Sequence, residues 1–215
     1  MTTFSSILLL SSYWNHPRIH NLGNNNPLHA SLARAATSLI DVLAYGGRDV
    51  RRETLTNFTS PGESVVDLCC GTGTSTPYGG VGVDTSQAML VEAMWRRGKS
   101  AGCRFVRGNA ETYGEANSFD VSLVSFSLHE MPSYAREKVM RNAIRVAKRR
   151  AIFVDISPTY DPSATMLSGE PFLRDYQANV VKEYLQLTID PSVHAVSLFV
   201  PVQDHVLTAV VDLNV

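Results

Sequence analysis

The stretch Val65-Val66-Asp67-Leu68-Cys69-Cys70-Gly71-Thr72-Gly73-Thr74 decides the fold. A short apolar run, 64–68, ends near a carboxylate and opens a turn whose two glycines let backbone approach a ligand closely. Alone, such a turn serves a dinucleotide, a nucleotide or nothing. A second strand, 81–83, leads into Asp84, placed to take both hydroxyls of a ribose. A dinucleotide fingerprint wants a third Gly three residues after Gly73 and its acid about 20 residues after the first Gly. Position 76 is Thr76, and Asp84 follows Gly71 by 13 residues (84 − 71). The P-loop pattern G-x-x-x-x-G-K-[ST] is absent from the chain. A ligand with a ribose and without a pyrophosphate fits better.

Downstream of this turn the chain alternates strands and helices. A helix is expected over 87–97, with Met89, Leu90, Ala93 and Met94 inward. Strands follow at 103–106, 119–126 and 151–156, with a helix at 134–148 between the last two and another at 172–187. This cadence predicts an α/β three-layer sandwich, a mostly parallel sheet with helices on both faces. Two β-rich runs, 195–202 and 205–212, are separated only by Gln203-Asp204. Parallel neighbours need a crossover of a dozen or more residues, so this pair is an antiparallel hairpin. Only ten residues separate Gly73 from Asp84, among them Pro77 and Gly79-Gly80, which leaves room for a helix of about one turn after the first strand. Upstream, Asn26-Pro27 reads as the cap and first residue of a helix. Leu28, Leu32, Ala35, Ala36, Leu39, Val42 and Leu43 recur at helical spacing until Gly46-Gly47, and a shorter helix follows at 50–58. The expectation is one domain over 1–215, with 1–60 a lid and helical extension on a core at 61–215.

Composition excludes several classes. Of 215 residues, 44% are hydrophobic and 18% charged, with 14 Gly and 10 Pro, which excludes disorder and collagen-like repeats. Nineteen Lys and Arg against twenty Asp and Glu leave no electrostatic footprint for nucleic acid or an anionic membrane. Cys69, Cys70 and Cys103 have neither disulfide nor zinc spacing, so a reducing compartment is the simplest home. The cytoplasm is therefore expected, with import into an organelle left open. No apolar run approaches the ~20 residues that span a bilayer.

From about residue 61 to 215 the chain resembles class I S-adenosylmethionine-dependent methyltransferases. The resemblance is carried by Val66 to Gly73 (VDLCCGTG), Val81 to Leu90 (VGVDTSQAML), Arg107 to Glu111 (RGNAE), Phe119 to Met131 (FDVSLVSFSLHEM) and the terminal hairpin. It implies a Rossmann-like, seven-stranded sheet of order 3-2-1-4-5-7-6 with one antiparallel strand. It implies S-adenosyl-L-methionine as methyl donor, S-adenosyl-L-homocysteine as product, and no metal. It also implies a site. The turn from Asp67 through Cys69 and Gly71 to Gly73 cradles the methionine moiety, and Asp84 bridges the ribose hydroxyls. Thr85, Ser86 and Met89 lie beside the adenosine, Asn109 and Ala110 meet the adenine edge, and Phe126 and Ser127 lie under the sulfonium. Two departures stand out: Cys69 occupies the usual place of a first Gly, and Asn109 that of a common Asp.

The acceptor is expected to be a small molecule, because the Asn/Asp-Pro-Pro-Tyr signature of adenine methylation is replaced by Ser127-Leu128-His129-Glu130. A hydroxyl acceptor needs a general base, whereas a thioether or neutral amine does not. His129 is the candidate base and Glu130 its orienting partner, against a structural reading of equal weight. Cys69 and Cys70 read as packing residues rather than nucleophiles. Tyr13, Trp14, Arg18 and His20 are expected in a lid, with Tyr160 and Tyr176 as further substrate candidates. Partners beyond a small molecule are not expected, with a monomer or homodimer as assembly. Two other readings stay open: a non-catalytic cofactor-binding or regulatory module of this fold, and a Rossmann-like dehydrogenase. For the latter, Tyr134-x-x-x-Lys138 lacks a catalytic Ser at the needed spacing, and the glycine count disagrees.

Overall fold

The computed structural model describes residues 13–16, 19, 26–98 and 101–214. Helices α1 (Pro27–Leu43) and α2 (Val50–Phe58) precede strands β1 (Val65–Leu68) and β2 (Val81–Asp84). Then come α3 (Gln87–Ala93), β3 (Arg104–Arg107), β4 (Phe119–Ser125), α4 (Ser133–Val146) and β5 (Ala147–Ile156). Helices α5 (Ala164–Gly169) and α6 (Leu173–Gln186) lead to β6 (Val193–Val202) and β7 (Val206–Leu213). The seven strands form one sheet of order β3-β2-β1-β4-β5-β7-β6, as expected. β7 runs antiparallel to both β5 and β6, while the pairs β1–β2, β1–β4, β2–β3 and β4–β5 are parallel.

Alternation along the central strands sorts side chains between two cores. Val66, Leu68, Val124 and Phe153 pack on one face with Val139, Tyr176 and Tyr184 from α4 and α6. Val65, Leu123, Ile152 and Val154 pack on the other with Tyr45, Val50 and Leu55. Both faces of the strands are covered, as a parallel sheet requires. Capping fixes the helix starts: Asn26 accepts the N–H groups of Leu28 and His29, Asp49 that of Arg52, and Ser86 that of Met89.

Three expectations need correction. No helix forms among residues 69–80; the segment is turns, with positive φ at Cys69, Gly71, Gly73 and Gly79. Four left-handed residues in eleven interrupt any helical ladder. The helix expected over 87–97 ends at Ala93 and widens into a π turn at Met94–Gly98. The leucine stripe of α1 does not face the core: Leu28, Leu32, Leu39, Val42 and Leu43 are all more than half exposed. The inward face is instead His29, Ala33, Thr37, Ile40 and Ala44, which lies against a cavity rather than a packed layer.

Candidate active site

The cavity holds about 740 Å³ and opens at the carboxyl ends of β1, β2 and β4, where a doubly wound sheet offers its ligand crevice. One wall is the β1 turn, with Cys69, Cys70, Gly71, Thr72, Thr74 and Ser75. Cys69 sits at φ 62°, a left-handed conformation that costs a non-glycine residue about 1 kcal/mol or more. At Gly71, φ is 53° and an added Cβ would meet nothing within 4 Å, so the turn is open to the cavity there. Gly73 is a glycine for another reason: a Cβ would stand 2.7 Å from the Phe105 ring.

Asp84 closes the turn on itself. Its Oδ2 accepts the N–H of Gly71 at 2.8 Å and its Oδ1 that of Ser86 at 2.8 Å. Each oxygen keeps a further lone pair, and the residue lines the cavity. Burial pushes its carboxyl up, opposed by these backbone bonds. Asp67 lies one layer back and does not reach the wall. Its Oδ2 accepts from the Thr76 hydroxyl at 2.6 Å, while its buried Oδ1 has no partner. Burial, outweighing that hydrogen bond, raises Asp67 to about 7, and Asp84 adds to the rise. Burial likewise pushes the Cys69 and Cys70 thiols up, which keeps them protonated and suits the packing reading.

Of the expected donor-site residues, Cys69, Gly71, Asp84, Thr85, Met89, Asn109, Ala110, Phe126 and Ser127 come together around the cavity. Asp67, Gly73 and Ser86 do not line it, Ser86 being spent on the α3 cap. Asn109 Oδ1 already accepts the Glu111 N–H at 2.9 Å, an Asx turn that leaves one lone pair for a ligand. Among the lid candidates, Tyr13 and Trp14 line the cavity, ring centroids 5.1 Å apart, and Tyr160 joins them. Arg18 and His20 lie outside the described residues. Tyr176 is core: it is fully buried, and its hydroxyl donates to Ile156 O at 2.8 Å.

His129 and Glu130 line the far wall of the cavity, and the ring partner of His129 is Asp155. Nδ1 stands 2.6 Å from Asp155 Oδ1, and Nε2 makes no hydrogen bond among the described residues. Burial pushes the imidazole down, but the charge and hydrogen bond of Asp155, with Glu170 and Glu130, overcome it and raise His129 to about 9. One ligand atom each from His129, Glu130 and Glu170 lie within 4.8 Å of one another, a grouping that could hold a metal ion, where the sequence pointed to none. The sequence reading also missed Arg51, Ile19 and the inner face of α1.

A seven-stranded sheet with a reversed last strand, its β1 turn facing a cavity and a carboxylate at the end of β2, matches the Rossmann-like fold of methyltransferases. Residues 65–150 match the family model described as a methyltransferase domain. The chain is 32% identical over 143 residues to the demethylmenaquinone methyltransferase of Lactococcus lactis, an alignment covering 57% of this chain and 56% of that protein. It is 35% identical over 102 residues to an uncharacterised methyltransferase of Synechocystis, covering 44% and 46%. The chain thus spans about half the length of the curated relatives it matches. Among solved structures, magnesium protoporphyrin IX methyltransferase of Synechocystis, with bound SAH, superposes with a TM-score of 0.60 at 16% identity, covering 97% of this chain and 100% of that one. At that identity the likeness speaks for the fold alone.

Proposed function

We propose that the chain transfers the methyl group of S-adenosylmethionine to a small-molecule acceptor held in this cavity. The carrying observation is continuity: one cavity runs from the Gly71 turn and Asp84 to the His129 wall. The residues present suit the donor. Gly71 leaves open space at the turn, Asp84 offers free lone pairs for a ribose, Met89 and Ala110 give an apolar bed for a base, and Asp67 keeps an unpaired oxygen behind the turn. Bound there, the donor supplies a methyl carbon on a positively charged sulfur.

The protein's task is alignment and proton handling. Holding acceptor and methyl in line is a proximity contribution, worth several kcal/mol in favourable cases, about 7–11. Asp155 takes the Nδ1 side of His129 and leaves Nε2 facing the cavity, where it accepts the proton of an acceptor hydroxyl as the oxygen attacks. A conjugate acid raised to about 9 is close to a phenol's ordinary value of ~10 and far from an aliphatic alcohol's. Tyr13, Trp14, Tyr45, Phe126 and Tyr160 give the cavity aromatic walls. Both features support an aromatic hydroxyl acceptor. Tyr13 and Trp14 line the cavity, and in this reading they act as its lid and exclude water from the sulfonium.

The test is calorimetry with S-adenosylhomocysteine and with reduced nicotinamide dinucleotide, followed by turnover on a panel of phenols, amines and thiols. Binding of the homocysteine compound alone, with methylation of phenols, is expected. Tight donor binding with no turnover across an exhaustive panel would favour the non-catalytic module instead.

A further inference from the structure

Arg51 is the only Arg or Lys among the described residues lining the cavity, and it comes from α2, upstream of the matched segment 65–150. Its side chain is 8% exposed. Nη1 donates to Asp41 Oδ1 at 2.8 Å, and the guanidinium lies 4.2 Å over the Phe126 ring. Among the described residues, Nε and Nη2 donate to nothing. A guanidinium carries five N–H donors, and those on Nε and Nη2 stay accessible where Arg51 lines the cavity.

The same chain shows what a buried arginine with partners on every nitrogen looks like. Arg136, wholly buried, gives Nε to Glu183 at 2.7 Å, Nη1 to Met131 O at 2.7 Å, and Nη2 to Asp175 and Glu183 at 2.8 and 2.6 Å. Two carboxylates share that one guanidinium. Arg51 has one carboxylate and an open edge toward the cavity. Its platform is also fixed: Phe126 stands at φ 50°, with its N–H bonded to Val154 O at 2.7 Å and its ring stacked 6.4 Å from Tyr45. A side chain held in the left-handed region needs a reason in its surroundings, and here it carries the guanidinium.

We propose that Arg51 is the anchor for a carboxylate bound in the cavity, which completes the arginine as Glu183 and Asp175 complete Arg136. The carboxylate comes either from the amino-acid end of the donor or from the acceptor. The first source agrees with the field of Arg51 reaching Asp67 behind the turn. The proposal rests on the cavity being the donor and acceptor site.

Calorimetry on the wild type, Arg51→Met, Arg51→Lys and Asp41→Asn separates the sources. S-adenosylhomocysteine carries the carboxylate, and 5′-methylthioadenosine lacks it. If the donor is the source, Arg51→Met weakens the first at least tenfold and the second less than threefold. Arg51→Lys, which keeps the charge without the fork, falls between. If the acceptor is the source, both nucleosides bind Arg51→Met as they bind the wild type. Paired aromatic acids and their amides, titrated with and without the homocysteine compound, then show an acid preference that collapses in Arg51→Met. Asp41→Asn controls for a merely structural ion pair: it breaks the pair yet retains the carboxylate selectivity. The proposal is overturned if Arg51→Met alters neither the ratio between the nucleosides nor that between acid and amide. It is equally overturned if Arg51→Met and Asp41→Asn do the same harm to both ligands. Failure of the wild type to bind either nucleoside counts against the methyltransferase reading, and the acid–amide panel still decides Arg51.

Discussion

Asp155 Oδ1 stands 2.6 Å from His129 Nδ1, and the other oxygen of the same carboxylate accepts the backbone N–H groups of Ser127, Leu128 and His129 at 3.2, 2.8 and 3.4 Å. One carboxylate at the end of β5 therefore sets both the ring and the loop that carries it. Asp155→Asn keeps the shape but brings an amide N–H₂ to compete for Nδ1, which disfavours the tautomer with Nε2 free. The expected result is a fall in kcat of at least about 10²-fold, with donor affinity within threefold. Wild-type turnover in Asp155→Asn would remove the positioning role.

His129→Ala is expected to cut turnover on a phenolic acceptor by about 10²–10⁴-fold while leaving donor affinity nearly intact. The groups facing the ring are Asp155 from β5, Glu170 beyond α5, Glu130 beside it and the Tyr176 ring of α6, 6.2 Å away. Because His129 is raised to about 9, its free-base form grows roughly tenfold per pH unit below that value. The rate should therefore climb with pH and level off near 9. Linkage has the matching sign: the raised value stabilises the fold fully below the ordinary 6.5, and that contribution fades as pH rises through 9. A flat rate profile between pH 6 and 9 in the wild type would speak for an acceptor that needs no base.

Asp84→Ala removes the acceptor of the Gly71 and Ser86 N–H groups as well as the proposed ribose contacts. Loss of charge-assisted bonds of this kind costs about 2–4 kcal/mol. Weakening of S-adenosylhomocysteine binding by roughly 30-fold or more is expected by calorimetry. Unchanged affinity would place the donor elsewhere.

The sheet order was legible only through the resemblance carried by the β1 turn and the motifs after it. The final hairpin was legible from the residues themselves, because the two-residue gap at Gln203-Asp204 forces it, seen as β6–β7 with Asp204 at φ 58°. Asp84, Gly71 and Phe126 were legible as strand-end positions. Asp155 ends β5 in the same way, yet its role arises from the β4–β5 register, Ser125 beside Val154, which no local pattern encodes. In α1 the conspicuous leucines point outward, and the face that lines the cavity is small and mixed, His29, Ala33 and Thr37. Hydrophobic periodicity finds packed faces, and a cavity-lining face does not obey it.

Asp67 offers a test in which stability and binding move oppositely. Burial raises its carboxyl to about 7, against Thr76, Arg97 and Arg51, which favour the ionised form, and with Asp84, which opposes it. Between its ordinary value and 7 the native state holds the extra proton, so stability falls as pH rises through that window. Asp67→Asn removes the buried charge and is expected to raise Tm at pH 8, with a smaller gain at pH 5. If the unpaired Oδ1 serves the donor's ammonium, the same variant weakens donor binding at pH 8. A gain in Tm with no loss of affinity would make Asp67 a purely structural acid.

Trp14 reports on the proposed lid. The chain has two tryptophans, and Trp95 lies in the π turn, 76% exposed, with Arg96 stacked on it. Trp14 instead lines the cavity, edge-on to Tyr13, which packs in turn against Tyr134 at 6.4 Å. Trp95→Phe leaves Trp14 as the sole emitter without touching the cavity. Covering a bound donor moves the indole from water toward an apolar neighbour, so its emission should shift to the blue on saturation with S-adenosylhomocysteine. Deleting residues 1–22 removes Tyr13, Trp14 and the buried Ile19 together, while the helix that starts at Pro27 keeps its own Asn26 cap. That truncation should stay folded by circular dichroism, bind the donor more weakly and lose turnover. Unchanged Trp14 emission at saturating donor, together with full activity of the truncated protein, would leave the segment without a role in closure.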